Sequence, residues 1–176
     1  MKQHLVFSLL GPDRTGLVDR VAQTLARHHA NLEDSRMAVL GGEFSMMFLC
    51  SLEASGESAL VQDLNSVAGE LELLLQHKKT TARRSHSGMM PLQVSVRGAD
   101  HEGIVHDLVH HLVEQGVSVD NLESQLVNAP YSGVPLFEMQ MRISAPASVS
   151  LSTLRRKLQA AGDELNVDVE IETVSV

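Results

Sequence analysis

The chain has 176 residues, of which 43% are hydrophobic, so it can bury the cores of two small domains. It carries 22 acidic against 14 basic side chains, a formal net charge of −8, which argues against a protein that grips nucleic-acid phosphates over a broad basic face. Only 3% of the residues are aromatic and none is Trp, which argues against the base-stacking surfaces of single-strand-binding proteins.

The first half of the chain predicts six elements in the order β-α-β-β-α-β. An apolar strand at residues 5–10 leads through a glycine-flanked turn to a helix whose apolar residues recur at helical spacing from Leu17 to about residue 28. Residues 31–40 and 43–52 flank the doublet Gly41-Gly42 and predict a hairpin. A second helix starts at residues 55–58, and residues 71–77 predict the closing strand. This order is that of the ferredoxin-like fold.

Residues 78–91 show no periodicity, and their second half, 81–90, is predicted to be a linker between a domain at 1–80 and a domain at 91–176. The second half of the chain repeats the six-element order. Its strands alternate between apolar and polar residues, as in a sheet with one solvated face. Residues 128–135 form a long hairpin loop that could line a site. The predicted fold class is α+β, with two four-stranded antiparallel sheets and two helices on one face of each.

A six-residue turn between the first strand and the first helix occurs twice. Gly11-Pro12-Asp13-Arg14-Thr15-Gly16 in the first half matches Gly98-Ala99-Asp100-His101-Glu102-Gly103 in the second at a constant offset of 87 residues. The same offset carries the apolar residues of the first helix onto those of the third without a gap. The chain is therefore a duplicated module.

The turn has the chemistry of a small zwitterion site. Its glycines let the backbone approach a neighbour closely, and the free N–H groups at the helix start attract an anion. Asp13 adds a carboxylate that could hold an ammonium group, so the corner suits a free amino acid. A purely structural alternative is that Asp13 caps the helix and the glycines serve chain geometry.

The two predicted sheets differ on the face turned away from the helices. In the first half, Met47, Leu49, Val6, Leu10 and Leu74 occupy positions that a solvated face would fill with polar residues. We therefore expect this face to pack against another domain or subunit, which predicts a homo-oligomer.

Residues 1–4 run directly into the first strand without a signal segment, and no apolar stretch is long enough to span a bilayer. The single cysteine, Cys50, lies among Met and Phe residues, which suits a reduced, buried thiol. Both observations predict a cytoplasmic protein.

Enzymatic chemistry has weaker support. Four histidines, His101, His106, His110 and His111, lie at or near the third helix, and His106 and His110 are one turn apart, a spacing that can chelate zinc with Asp107 or Glu102. The core face of that helix belongs to its Leu and Ile residues, so a solvated histidine face is the favoured interpretation. No nucleophile elbow exists, and the turn lacks the middle glycine that pyrophosphate binding needs. No catalytic residue, metal or cofactor is predicted.

The chain resembles tandem ACT-domain proteins and, more narrowly, the glycine cleavage system transcriptional repressor family. The resemblance rests on the first turn, on the segments at residues 30–37 and 42–44, on the loop at 129–137 and on residues 163–168. It covers nearly the whole chain. It implies a non-enzymatic regulatory module that binds an amino acid, glycine above all, at a domain or subunit interface, and that acts on a transcription activator protein rather than on DNA.

The resemblance also implies which residues bind. Family ligands are held by the strand-to-helix turn together with a polar residue that opens the second strand. In this sequence these are the turn from Gly11 to Gly16 and Asn31, with a weaker second site at Gly98, Asp100, Gly103 and Ser118. A detached regulatory subunit of a metabolic enzyme would use the same ligand chemistry with a different partner.

Overall fold

The computed structural model describes residues 1–81, 88–128 and 133–174, which divide into two units, Met1–Arg84 and Ser85–Val176. The parts of the predicted linker at 82–87 and of the predicted loop at 129–132 lie outside the described residues. Among the described residues, no helix combines the length and the apolar character needed to cross a membrane.

The first unit has the predicted order of elements, β-α-β-β-α-β. In chain order they are β1 (Lys2–Pro12), α1 (Leu17–Arg27), β2 (Asn31–Leu40), β3 (Glu43–Glu53), α2 (Glu57–Glu70) and β4 (Leu74–Thr80), with a short 3-10 turn, Ala54–Gly56, before α2. The four strands form one antiparallel sheet in the order β2-β3-β1-β4, which places β1 in its centre and β2 at one edge.

The second unit repeats this architecture. Its elements are β5 (Met89–Ala99), α3 (Ile104–Glu114), β6 (Ser118–Asn128), β7 (Pro135–Pro146), α4 (Leu151–Leu165) and β8 (Val167–Thr173). The strand order is β6-β7-β5-β8. The predicted α+β class, with two ferredoxin-like domains in tandem, is confirmed. β5 begins at Met89, so it takes in the last two residues of the predicted linker.

Each core lies between one sheet face and two helices, because the apolar side chains alternate along the strands and recur at helical spacing on the helices. In the first unit Leu5, Phe7 and Leu9 of β1 face Leu17 of α1 and Leu64 of α2, and all five are at most 2% exposed. Burying a side chain of this size contributes about 1.5–3 kcal/mol, so these contacts fix which face of each element turns inward.

The last strand of the first unit begins at Leu74, and the prediction that it spans residues 71–77 is wrong. α2 runs to Glu70, and the next residues turn back on the helix: the Leu73 N–H donates to the Ala68 carbonyl at 2.8 Å, with Glu72 in the left-handed conformation. Leu73 is buried in the core although it lies in this turn. The apolar run therefore marked a buried turn followed by a strand.

The faces turned away from the helices differ as the sequence indicates. In the first unit Leu10, Met47 and Leu74 are 47%, 54% and 71% exposed. In the second unit this face is polar, and its side chains bond to each other, as where Gln93 Nε2 donates to Gln140 Oε1 at 2.8 Å. That another copy covers the apolar face of the first unit stays a prediction.

Candidate functional site

The first turn ends in an uncapped helix start. Gly16 is the N-cap of α1, with φ 94°, a conformation that glycine adopts without a steric penalty. No side chain of the described residues caps the helix, and the first backbone bond joins the Arg20 N–H to the Gly16 carbonyl at 3.0 Å. The N–H groups of the first turn therefore have no partner within the helix, which is the arrangement that attracts an anion.

Asp13 is not the cap of this helix. Its backbone N–H donates to the Gly42 carbonyl at 3.0 Å, which fixes the turn to the β2–β3 hairpin, and its side chain is exposed. The helix-capping alternative for Asp13 is therefore wrong. The carboxylate is free to contact a molecule in solution beside the helix start.

Gly11 is required by the fold. A Cβ at this position would lie 2.7 Å from the Glu72 carbonyl oxygen and 2.9 Å from Leu73 Cδ2. Gly98 has the same role in the second unit, where a Cβ would lie 2.8 Å from the Asn166 carbonyl oxygen and 2.9 Å from Val167 Cα. The first glycine of each turn lets the turn after the second helix pass close to the central strand.

Arg14 connects the candidate turn to that same neighbouring turn. Its guanidinium lies 2.7 Å from the Glu72 carboxylate, and both side chains are exposed. An exposed pair of this kind contributes little stability, so its effect is to direct the Arg14 side chain toward Glu72. The sequence does not indicate Glu72, because the two residues are 58 positions apart and no local pattern joins them.

The structure separates Asn31 from the turn. In the first sheet Asn31 lies opposite Ser51, which lies opposite His4, whereas Gly11 lies opposite Phe44. His4 and Gly11 are seven residues, or about 23 Å, apart along β1, so Asn31 and the turn are separated by about that distance along the strands and lie at opposite ends of the sheet. A single domain therefore does not bring the predicted ligand residues together.

The second turn has the same backbone and different charges. Gly103 is the N-cap of α3 with φ 97°, and the Asp107 carboxylate lies 3.4 Å from where a Cβ of Gly103 would stand. Asp100 and Glu102 add two more carboxylates to the turn. Ser118, like Asn31, opens its strand at the end of the sheet opposite the turn. It pairs with Ser144, which pairs with Pro91 near the start of β5. This helix start is less suited to an anionic ligand than the first.

The histidines of α3 are exposed rather than gathered into a metal site. The rings of His106 and His110 stack with centroids 6.0 Å apart, and the side chains are 81% and 60% exposed. Within the described ranges, no three His, Cys, Asp or Glu side chains converge in a way that could hold a metal ion. The two rings instead border a shallow groove of about 470 Å³ between α3 and β6, whose floor is aliphatic and includes Val109, Val119 and Leu122.

Cys50 is placed as a structural residue. Burial among the core side chains and, secondarily, the nearby Glu33 carboxylate raise the pKa of its thiol to about 11, because both disfavour the thiolate. At neutral pH the group is a protonated thiol in the core, which is not the state that a cysteine nucleophile needs.

Comparisons with known proteins cover both units. A family model described as the ACT domain matches residues 3–78. The glycine cleavage system transcriptional repressor of Escherichia coli (strain K12) is 27% identical over 174 residues, which are 99% of this chain and 92% of the repressor. A UPF0237 protein of Methanopyrus kandleri is 34% identical over 77 residues, 42% of this chain and 86% of that protein.

A solved structure is similar over the whole chain. The crystal structure of an unknown protein from Galdieria sulphuraria has a TM-score of 0.85 at 30% identity and covers 99% of this chain and 100% of its own. The similarity to that structure and to the repressor extends across both units, whereas the family model matches only the first.

Proposed function

Because this chain belongs to the ACT-domain family and consists of two such domains in tandem, we propose that it is an amino-acid-responsive regulatory protein of the glycine cleavage system. In this proposal it represses transcription through a partner activator protein, in the cytoplasm, and is not an enzyme. The observation that carries the proposal is the similarity to a glycine cleavage system transcriptional repressor over 99% of the chain.

The ligand of the proposed site is a small amino acid, with glycine favoured. The uncapped N–H groups at the start of α1 suit the carboxylate of the amino acid, and the free Asp13 carboxylate suits its ammonium group. Gly16 leaves the space at the helix start open, since no atom beyond its two chain neighbours lies within 4 Å of where its Cβ would be. An amino acid with a small side chain can therefore approach the backbone.

Asn31 takes part in this site only if a neighbouring subunit supplies it. The separation of about 23 Å within one sheet exceeds what a free amino acid can bridge. We therefore propose a homo-oligomer in which the turn of one subunit faces the start of β2 of another. Ligand that bridges two subunits shifts the population toward the assembled state, which is how binding could be reported to a partner.

Calorimetric titration of the full chain with glycine, serine and alanine tests the ligand site. Asp13→Ala removes a charge-assisted hydrogen bond worth about 1.5–3 kcal/mol, so we expect affinity to fall about ten- to a hundredfold. Asp100→Ala, the same change at the matching position of the second turn, is the control and leaves affinity unchanged. Equal affinity of the wild type and Asp13→Ala would contradict the site.

The partner is tested separately from the ligand. Capture of proteins from native lysate on the full-length chain, with and without glycine, is expected to return a transcription activator. Recovery of a metabolic enzyme subunit would instead support the alternative of a detached regulatory subunit.

In a gel-shift assay with a glycine cleavage promoter, the chain alone is expected to leave the DNA unshifted, as its net charge of −8 favours. A shift by the chain alone would contradict action through a partner.

A further inference from the structure

We propose that protonated His101 is a pH-sensitive tether that holds the turn between β5 and α3 against the C-terminal end of α4. The proposal concerns the conformation of this turn and stands whether or not the turn binds an amino acid.

The hydrogen bonds of His101 require both ring nitrogens to carry a proton. Nδ1 lies 2.9 Å from the Glu102 carbonyl oxygen, and Nε2 lies 2.6 Å from the Leu165 carbonyl oxygen. A carbonyl oxygen only accepts, and a neutral imidazole has one N–H donor, so only the imidazolium can make both bonds. Loss of the proton must break one bond or weaken both.

The surroundings of the ring favour the cation. Leu165 is the last residue of α4, where the free carbonyl groups and the helix dipole present negative charge. The two carbonyl hydrogen bonds raise the pKa of His101 above its usual value, and the Asp100 and Asp107 carboxylates add to the shift, whereas desolvation opposes it. The other charged residues in the turn and in the last turn of α4 are also acidic: Glu102, Asp163 and Glu164.

The first domain holds the equivalent turn with a permanent cation, through a side-chain carboxylate instead of a backbone carbonyl. Arg14 occupies the position equivalent to His101, 87 residues earlier, and pairs with Glu72 in the turn after α2. Glu72 and Asn166 also occupy equivalent positions. Both have the left-handed backbone conformation, and the carbonyl oxygen of each lies against the first glycine of the motif in its own domain. An arginine stays protonated at every physiological pH, whereas a histidine does not. The two turns therefore differ in pH response although they share a backbone.

The direction of the effect follows from the raised pKa. The tether contributes fully below the unfolded pKa of about 6.5, and its contribution is lost as the pH rises through the higher pKa of the folded state. We expect the turn to be closed on α4 in mildly acidic solution and released in alkaline solution.

NMR titration of the full-length wild-type chain measures both the protonation of the His101 ring and the conformation of the turn. The His101 ring is expected to titrate above 6.5, and the backbone amides of Gly98, Gly103 and Asn166 are expected to shift along the same curve. A His101 ring that titrates at or below 6.5, or amides that do not follow it, would overturn the proposal.

Two variants at His101 test whether the positive charge of its side chain controls the turn, one with a permanent cation and one with a neutral side chain. His101→Arg copies the first domain, so the three amides should lose their titration in this pH range while keeping the shifts of the acidic wild type. In His101→Gln both N–H donors lie on a single nitrogen, which cannot reach the two carbonyl oxygens that the two ring nitrogens reach, so the amides should resemble the alkaline wild type at every pH. Amides that still titrate in His101→Arg would show that another group controls the turn.

Discussion

Gly11 and Gly98 stand where the central strand of each sheet passes closest to the turn that follows the second helix. The sequence pattern made these glycines look like part of a ligand site, because a glycine before a helix start is typical of close approach to a bound group. The structure assigns the close approach to the protein's own backbone, at Glu72 and at Asn166. The motif is therefore divided between roles: Gly11 serves packing, and the proposed binding belongs to Asp13 and the helix start after Gly16.

Replacement of Gly11 by alanine is expected to destabilise the chain by about 1–3 kcal/mol, because the added Cβ meets backbone atoms that cannot move cheaply. Gly69→Ala is the matched control. Gly69 lies in α2, and no atom other than its chain neighbours and the adjacent backbone of that helix is within 4 Å of its Cβ position. Alanine there should be stabilising by about 0.5–1 kcal/mol. Urea unfolding followed by circular dichroism measures both. Equal stability of Gly11→Ala and the wild type would contradict the close approach.

Cys50 is expected to resist alkylation in the folded chain. A thiol pKa of about 11 leaves a far smaller thiolate fraction at pH 8 than a free cysteine has, so the rate with iodoacetamide should be lower by more than about a hundredfold. Mass spectrometry of timed samples measures the rate. The same residue in denaturant is the control and should react at the rate of a free thiol. Rapid labelling of the native chain would show that the thiol is not buried as described.

At the scale of elements, the two sheets show how one topology can carry two surfaces. Register pairs Met47 of β3 with Ser8 and Arg36, and it pairs the corresponding Gln140 of β7 with Ser95 and Glu123. The helix-facing residues alternate with these in both sheets and are buried alike. The duplication therefore preserved the core pattern and let the outer face diverge.

Met47→Glu is expected to weaken self-association through the outer face of the first sheet, because burial of a carboxylate in an apolar interface is costly. The side chain is 54% exposed in the single chain, so the domain itself should fold normally. Gln140→Glu makes the equivalent change on the polar sheet and should leave the mass unchanged. Light scattering across a concentration series measures the mass. A wild-type chain that remains monomeric would contradict the predicted interface.

At the scale of the whole molecule, the proposed ligand site depends on assembly. Asp13 and Asn31 lie at opposite ends of one sheet, so neither residue can complete the site alone. Two subunits related by a twofold axis would form two such sites, each with one residue from each subunit. The oligomer and the ligand are then linked, and each should strengthen the other.

Mixing of two weakened variants tests this arrangement. Asp13→Ala and Asn31→Ala should each bind glycine more weakly than the wild type, whereas an equimolar mixture that has exchanged subunits should regain wild-type affinity at about a quarter of the sites. About half of randomly formed dimers are mixed, and each mixed dimer has one intact site. Calorimetry gives the number of sites. A mixture that binds no more than either variant would contradict a site shared between subunits.

The duplication, the order of elements and the core can be predicted from the amino-acid sequence alone. These features follow from local spacing. Apolar residues that recur every two residues in a strand or every 3.6 residues in a helix determine which face of the segment is buried, and the same spacing recurs 87 residues later in the second half. The sequence also marked the apolar outer face of the first sheet. It placed the last strand of the first domain too early, because a buried turn and a strand are equally apolar.

The contacts between distant residues depend on the three-dimensional fold. Arg14 with Glu72, His101 with Leu165, and Gly11 with the turn after α2 are contacts between segments far apart in the chain, and no local pattern encodes them. The same holds for the distance between Asn31 and the turn, since strand register sets it. The physical reason is that side-chain periodicity fixes the direction in which a residue points, whereas sheet order and register fix what it reaches.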